Sequence, residues 1–317
     1  MLVSPKYSLL LESNPTGEQN YTAAFLAADL IRVINSVTGE VSVVFMDNTS
    51  ANKAIWQILR EEFPNKFFQG CALHGMHLFG KDVFAATKDK RVRELAEYSD
   101  GYTFVNLLVI TTECKEMVKF FKNHHVSKAL LKAMLAAARL PDLVLTEPTR
   151  WGTLQGMFGR ILAAEKVLHA LVNAHDFVTG TAKQKDLNIQ IKDTINRPDF
   201  ILMLQKWLAI LKPLDAAIVY YQSDSVPFLG VYLTFTKTLP EAINNIPSIT
   251  RQEREYLEML SQSRFDFMYG KAYGIGYVLD PRFLGYGMME ALRNQIENQI
   301  YTSGSDDDER SFLYAVH

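Results

Sequence analysis

The residue of this sequence whose position best suits catalysis is Asp47. It directly follows an apolar, β-branched run at residues 41–46, which is typical of a strand buried on both faces. A carboxylate at the C-terminal end of such a strand lies where α/β folds bind ligands, and its oxygens suit Mg²⁺ or Mn²⁺. The alternative is that Asp47 caps the helix predicted to begin near Ser50, because Asp is a common N-cap residue. Spacing alone leaves both interpretations open.

A second candidate group combines a cysteine with two histidines. Cys71 is followed three residues later by His74, and His77 lies three residues further on, a spacing found among zinc ligands. A structural zinc normally needs four ligands, and no second Cys/His pair follows at the expected distance. The sequence therefore favours Cys71 as the end of a buried strand and His74 as a polar side chain in a crevice beside Asp47.

A third group is basic. Lysines recur on both sides of the His124-His125 pair, at Lys115, Lys119, Lys122, Lys128 and Lys132. Lysines at such spacing usually form a solvated helix face, and the alternative is contact with nucleic-acid phosphates. On that alternative the DNA-binding candidates are Lys119, Lys122, His124 and His125.

Arg150 and Trp151 lie just past Pro148, at a predicted helix start. One interpretation is a helix cap with a packed indole; the other is a guanidinium and an indole presented to a nucleic-acid backbone and an unstacked base. The sequence has no Gly-x-Ser-x-Gly elbow and no glycine-rich phosphate loop, so hydrolase and nucleotide-binding classes have little support.

The elements that must position these residues change character along the chain. The first ninety residues alternate predicted strands, at 7–12, 41–46 and 67–71, with amphipathic helices such as the one at 21–37, which indicates an α/β region whose later strands are parallel. Residues 91–270 show helical periodicity, including predicted helices at 151–172 and 228–243. Residues 271–300 are predicted to return to the α/β core, with a helix at 285–300, and the acidic segment 301–317 is expected to be disordered.

Composition narrows the function classes. The chain has 317 residues, is 48% hydrophobic, and carries 33 basic against 35 acidic residues for a net charge of −2. With this net charge, the electrostatic field of the whole protein does not attract DNA, so any DNA contact must be made by a local positive patch. Its two cysteines favour a reducing compartment, and no stretch approaches the roughly 20 apolar residues of a membrane span. We expect an intracellular protein that does not enter a membrane.

The segment FMDNTSANKAIWQILREEFPNKFFQGCALHGMHLFGKDV resembles the core of the hAT transposase superfamily, in the form of plant and oomycete hAT-like proteins with a domain of unknown function. The pattern there is a strand, Asp-Asn-(Ala/Thr)-Ser-(Ala)-Asn, an amphipathic helix and Cys-x-x-His-x-Leu/Met-x-Leu. VKFFKNHH, PTRWGT and LDPRF resemble later parts of the same group, so the resemblance covers nearly the whole chain.

The resemblance implies a fold class of α/β plus α: an incomplete ribonuclease-H-like sheet with flanking helices and a large, mainly helical domain. Asp47 would be a metal ligand of the family's Asp-Asp-Glu set, which holds Mg²⁺ or Mn²⁺, and His74 would assist at the phosphate. Arg150 and Trp151 match the Arg-Trp motif, whose Trp stacks on a flipped base. DNA as partner and nuclear localisation are implied as well, whereas a homo-oligomer belongs to the interaction alternative given below.

The departures from the family are informative. The family's first catalytic Asp lies before the segment that matches VSPKYSLLLES, and its final Glu follows the LDPRF region at a distance, so that neither Glu290 nor Glu297 can be assigned to it. We therefore expect a chain truncated at both ends. One carboxylate cannot organise a two-metal site. The prediction is a transposase-derived protein without catalysis that retains weak DNA or protein binding, with Asp47 as a vestigial ligand.

Two alternatives remain. The first is an active metal-dependent nuclease or transposase in which other carboxylates, such as Glu12 or Asp29, replace the missing ligands. The second is a protein-interaction or dimerisation module, which a large exposed apolar patch on the helical half would favour.

Overall fold

The computed structural model of the chain describes residues 2–3, 8–13, 22–85, 105–146, 151–223, 226–246 and 249–303. Its contacts divide the chain into Met1–Gln69, called unit 1 here, and Gly70–His317, called unit 2. The described residues are mainly helical with a small sheet component, which confirms the prediction of a helix-rich mixed fold. The ribonuclease-H-like arrangement of the sheet stays a prediction.

Unit 1 is built from short strands and two helices. Strand β1 (Leu2–Val3) pairs antiparallel with β2 (Ser8–Leu9), and helix α1 (Ala23–Ser36), strand β3 (Val43–Met46), helix α2 (Ser50–Glu62) and strand β4 (Phe67–Gly70) follow. Strands β3 and β4 form a parallel pair. The Phe67 N–H donates to the Ser42 carbonyl over 2.9 Å at the start of this pairing. A helical crossover between parallel strands confirms the predicted β-α-β order.

The core of unit 1 lies between α1 and α2. The apolar residues of both helices recur at helical spacing, so each helix has one apolar face, and these faces pack on each other. Lys66 and Arg60 tie the strands to this layer: the Lys66 ammonium donates to the Val41 carbonyl over 2.9 Å, and the Arg60 guanidinium donates to the Phe68 carbonyl. The buried apolar residues are Ala27, Ile34, Ile55, Trp56, Leu59 and Phe68.

Two strand predictions were wrong about burial. The apolar run at 7–12 was predicted as a buried strand, yet among its described residues, 8–12, only Ser8–Leu9 pairs, and Leu9, Leu10 and Leu11 are exposed by 50%, 75% and 43%. Because the pairing covers two residues, Leu10 and Leu11 lie beyond the end of the strand and do not pack into a core. The strand at 41–46 was predicted to be buried on both faces, but the Phe45 side chain is half exposed.

Apart from Gly70, the end of β4, the regular elements described in unit 2 are helices. Its elements are α3 (Ala72–Ala85), α4 (Val105–Asn123), α5 (His125–Ala137), α6 (Trp151–Ala163), α7 (Glu165–Val172), α8 (Ala182–Asn196), α9 (Phe200–Tyr221), α10 (Phe228–Leu233), a π turn (Thr234–Thr238), α11 (Leu239–Asn244), α12 (Arg251–Met268), α13 (Lys271–Leu279) and α14 (Glu290–Ser303).

Helix α9 is the central element of unit 2. It is the longest helix described and packs against α3, α4, α6 and α11, with Trp207 fully buried at its middle. Helix α3 packs on both α9 and α12, and the Asp82 carboxylate binds the Arg264 guanidinium of α12 through two hydrogen bonds. Because of these contacts α3 belongs to unit 2, so the division falls at residues 69–70, whereas the sequence placed it near residue 90.

Three predicted helices differ from those observed. The helix at 151–172 is broken at Ala164, which has φ −87° and ψ 2°, into α6 and α7. The helix at 228–243 contains the π turn. The helix expected from residue 285 begins instead at Glu290, because Gly285 and Gly287 adopt φ of +70° and +79° and form a turn.

The segment predicted to return to the α/β core, 271–300, contacts the helices of unit 2. Helix α13 packs on α10 and α14, and the Tyr273 hydroxyl donates to the Gly70 carbonyl over 2.6 Å. Residues 304–317 of the acidic segment lie outside the described residues. No helix in the described part of the chain is long and apolar enough to span a membrane.

Candidate functional site

Asp47 lies at the C-terminal end of β3, as predicted, but it does not cap α2. The N-cap is Thr49, whose hydroxyl accepts the Asn52 backbone N–H over 3.1 Å. The backbone carbonyl of Asp47 accepts from the Thr49 N–H over 2.9 Å and from the Asn52 side-chain amide over 2.8 Å. The carboxylate itself is exposed. The interpretation of Asp47 as the N-cap of α2 was therefore wrong, because the N-cap lies two residues later.

The carboxylates proposed as replacement metal ligands are engaged by an arginine. Arg32, on α1, donates to both carboxylate oxygens of Glu12 and, from its Nε and Nη2, to Asp29 over 3.1 and 2.7 Å. These hydrogen bonds raise the pKa of the guanidinium, first through Glu12 and then through Asp29. Within the described residues, no three His, Cys, Asp or Glu side chains converge as a metal site would require.

His74 lies in unit 2, whereas Asp47 lies in unit 1. Cys71 directly precedes α3, and its carbonyl accepts the Gly75 N–H over 2.9 Å; it is half-buried and forms no disulfide. His74 and His77 follow one turn apart on α3, both half-buried. Burial lowers the pKa of His77, and the charge of His74 lowers it further. Both effects favour the neutral form of His77.

The lysines of the basic stretch form stripes on two successive helices. Lys115, Lys119 and Lys122 recur at i, i+4 and i+7 on α4, which places them on one face. Lys128 and Lys132 share a face of α5 with His125. All are exposed except Lys115, which is half-buried. Among the residues that the structure describes, none of these five ammonium groups has an ion-pair partner.

His124 lies at the junction of α4 and α5. Its Nδ1 is 2.8 Å from the Phe120 carbonyl, and its ring stacks on the Phe120 ring with centroids 4.4 Å apart. A carbonyl oxygen can only accept, so Nδ1 carries the proton and Nε2 is the nitrogen available to other groups. The ring is half-buried and fixed in orientation, whereas the neighbouring His125 is exposed.

A cavity of about 330 Å³ lies between the C-terminal half of α4 and α8. It brings two of the predicted residues together, Lys119 and His124, with a carboxylate, two amides and three apolar side chains. Lys122 and His125 do not line it. Because Glu116 is in the cavity wall with Lys119, an anion in the cavity would also meet a negative charge. The lining residues are Glu116, Lys119, Phe120, Asn123, His124, Leu187, Gln190 and Ile191.

Sequence reasoning missed the residue that fixes the helices of this site. Arg197, between α8 and α9, donates from Nη2 to Glu113 of α4 over 2.9 Å and from Nε to Asp199 over 2.7 Å. Glu113 raises the pKa of Arg197 most, and Asp199 adds to it. The bond also pairs Glu113, one of the two glutamates in the lysine-bearing stretch 113–132, with a positive charge. No sequence signal indicated a contact between residues 84 positions apart.

The amides of Asn123 and Gln190 were missed too, because the cavity joins helices that are distant in sequence. Arg150 lies outside the described residues. Trp151 begins α6, as the predicted helix start required, and its side chain lies outside the described part of the structure. The role of both in contacting DNA stays a prediction.

Exposed apolar side chains bear on the interaction alternative. Val126 and Leu130 lie one turn apart on α5 with exposures of 75% and 51%, and Tyr286 and Met289, before α14, are exposed by 84% and 75%. Both pairs lie in unit 2. A role in binding another protein or a second copy of the chain stays a prediction.

Comparisons with protein-family models, with curated proteins and with solved structures found no match to this chain.

Proposed function

We propose that this chain is a hAT-transposase-derived protein that binds nucleic acid weakly through the lysines of α4 and α5 and does not cleave it. Binding of this kind is driven by release of counterions from the phosphates when lysines replace them. On this proposal DNA is the partner and the nucleus the place of action, as the sequence resemblance implies.

The observation that carries the proposal is the set of exposed lysine stripes. Residues 113–132 contain five lysines and two glutamates, a formal balance of 5 − 2 = +3 in a chain whose total charge is −2. One of the two glutamates, Glu113, is bound to Arg197 and so does not offset the lysines of α4. The local field around α4 and α5 is therefore positive, although the field of the whole chain is not.

The part of the proposal that concerns loss of catalysis rests on unit 1. The parallel pair of β3 and β4 with its α2 crossover is compatible with a remnant of a ribonuclease-H-like sheet, with Asp47 at the strand end where that family holds Mg²⁺ or Mn²⁺. Glu12 and Asp29 instead form hydrogen bonds with Arg32. Recruiting either one to a metal would require breaking a charged hydrogen bond, and this supports loss of catalysis.

The proposal is tested by the salt dependence of DNA binding. Fluorescence anisotropy of a labelled duplex, measured from 50 to 200 mM KCl, gives the slope of log Kobs against log salt concentration. Each lost phosphate contact makes that slope less negative by about 0.9. We expect the double variant Lys119→Gln/Lys122→Gln to reduce the slope by about 1.8 in magnitude.

The matched control removes the same charge elsewhere. Lys237 and Lys271 are exposed lysines of unit 2 outside α4 and α5. The variant Lys237→Gln/Lys271→Gln should leave the slope unchanged. Equal slopes for both double variants, or no measurable binding of the unmodified chain at 50 mM KCl, would contradict the proposal.

A further inference from the structure

A second and larger cavity lies in unit 2, apart from the lysine stripes. Its volume is about 420 Å³, and it is partly open and bordered by α9, α10, the π turn and α11. None of the residues that line it carries a charged side chain. Its polar groups are the hydroxyls of Tyr220, Thr234 and Thr238. The other lining residues are Pro213, Ala216, Ala217, Gly230, Leu233, Leu239 and Ala242.

Two irregularities of helical backbone meet at this cavity. Pro213 lies inside α9, where it has no N–H to donate to the carbonyl of Ala209. On the other side, the Leu239 N–H bonds to the Thr234 carbonyl, five residues back, as in a π-helix. Each costs free energy relative to a regular helix, and π turns occur often at functional sites. Because both irregularities lie at one cavity, we infer that the cavity has a functional role.

The surroundings of two of these hydroxyls bear on what they can offer a ligand. The Thr234 hydroxyl donates to the Gly230 carbonyl over 2.8 Å, so its proton is used and its oxygen can only accept. A Cβ at Gly230 would lie 2.3 Å from the Tyr220 hydroxyl. Glycine at this position is therefore what leaves room for the Tyr220 hydroxyl in the cavity wall.

We propose that this cavity binds an uncharged, mainly apolar small molecule that carries one hydroxyl or carbonyl group. Its volume falls in the range of ligand sites, roughly 300–1,000 Å³. A charged ligand would lose its hydration there without gaining a charged partner from the lining residues. Tyr220 and Thr238 supply the hydrogen bond, and alanine, leucine and proline supply the apolar contact. The inference is independent of nucleic-acid binding.

The test uses N-phenyl-1-naphthylamine, an uncharged apolar fluorophore, with the full chain. Its fluorescence should increase with a single saturable site. Ala242→Phe places a ring in the cavity and should weaken binding at least about tenfold. The control Ala136→Phe adds the same ring on the exposed face of α5 and should leave binding unchanged.

Competition by naphthalene and 1-naphthol tests the polar group. The hydroxyl compound should bind about threefold more tightly to the unmodified chain, and Tyr220→Phe should remove this preference. Circular dichroism and thermal unfolding check that each variant folds. If Ala242→Phe does not fold, Ala216→Leu, at the exposed edge of the cavity, takes its place. No saturable binding, or equal weakening in Ala136→Phe, would overturn the inference.

Discussion

The His77 imidazole is half-buried on α3, and burial together with the charge of His74 lowers its pKa below the ordinary value of 6.5. Below pH 6.5 the unfolded chain therefore binds a proton that the folded chain resists. Stability contributed by neutral His77 is present above pH 6.5 and decreases as the pH falls toward the lower pKa of the folded state.

We predict that His77→Gln, which cannot be protonated, makes the free energy of unfolding depend less on pH between 7 and 5. Urea denaturation at several pH values measures this. The control is His175→Gln, which removes a fully exposed imidazole that contacts Asp176, and the pH dependence of the two variants is compared. The same pH dependence in His77→Gln and the unmodified chain would show that His77 does not titrate as described.

For Asp47 the structure excludes one of the two roles that the sequence left open. Two uses were considered from the sequence, metal ligand and helix cap, and Thr49 performs the second. The sequence could not separate Asp47, Asn48, Thr49 and Ser50, because all four residue types cap helices well. Only the backbone path, with Thr49 extended at φ −114° and ψ 156°, selects the cap.

At the scale of the element, the cap of α2 gives a direct prediction. Thr49→Ala removes the acceptor for the Asn52 N–H and should destabilise the start of α2 by about 1 kcal/mol. Hydrogen exchange of the α2 amides measures this locally. The neighbouring change Asp47→Asn keeps the backbone carbonyl bonds and should alter the same amides by less than about 0.5 kcal/mol. A larger effect from Asp47→Asn than from Thr49→Ala would show that Asp47, and not Thr49, caps α2.

Elements were predicted well where one periodicity ran without interruption. Helix α1 and strand β4 were predicted within two residues, since their apolar positions repeat cleanly between turn residues. The break at Ala164 and the π turn were missed. Alanine and threonine carry no helix-breaking signal of their own, so these irregularities depend on packing against neighbouring helices.

At the scale of the whole molecule, cleavage would require at least two further carboxylates to join Asp47 around metal ions. Hydrogen bonds to Arg32 hold the two that the sequence suggested, Glu12 and Asp29. We predict that the chain does not nick supercoiled plasmid in Mg²⁺ or Mn²⁺, as measured by gel electrophoresis. Cleavage by the unmodified chain that Asp47→Ala abolishes would refute this, whereas equal cleavage by both would identify a contaminant.

The division of the chain into two units was only partly predictable. A change from strand-and-helix alternation to helices alone is visible in the sequence, but the helical pattern of α3 does not reveal its partner. That helix follows β4 as closely as a helix of an α/β region would. Its apolar residues Met76, Phe79 and Val83 nevertheless enter the core of unit 2. Sequence proximity suggested a boundary near residue 90, whereas the contacts divide the chain at residues 69–70.

The sequence by itself determined the order of helices and strands, the position of Asp47 at a strand end and the lysine spacing on α4 and α5, because these depend on local periodicity. The tertiary structure alone decided that Thr49 caps α2, that Arg32 binds Glu12 and Asp29, and that Arg197 joins α4 to the start of α9. It also brought Pro213 and the π turn to one cavity. Each of these depends on hydrogen bonds or contacts between particular atoms, or between segments far apart in sequence, which residue spacing does not specify.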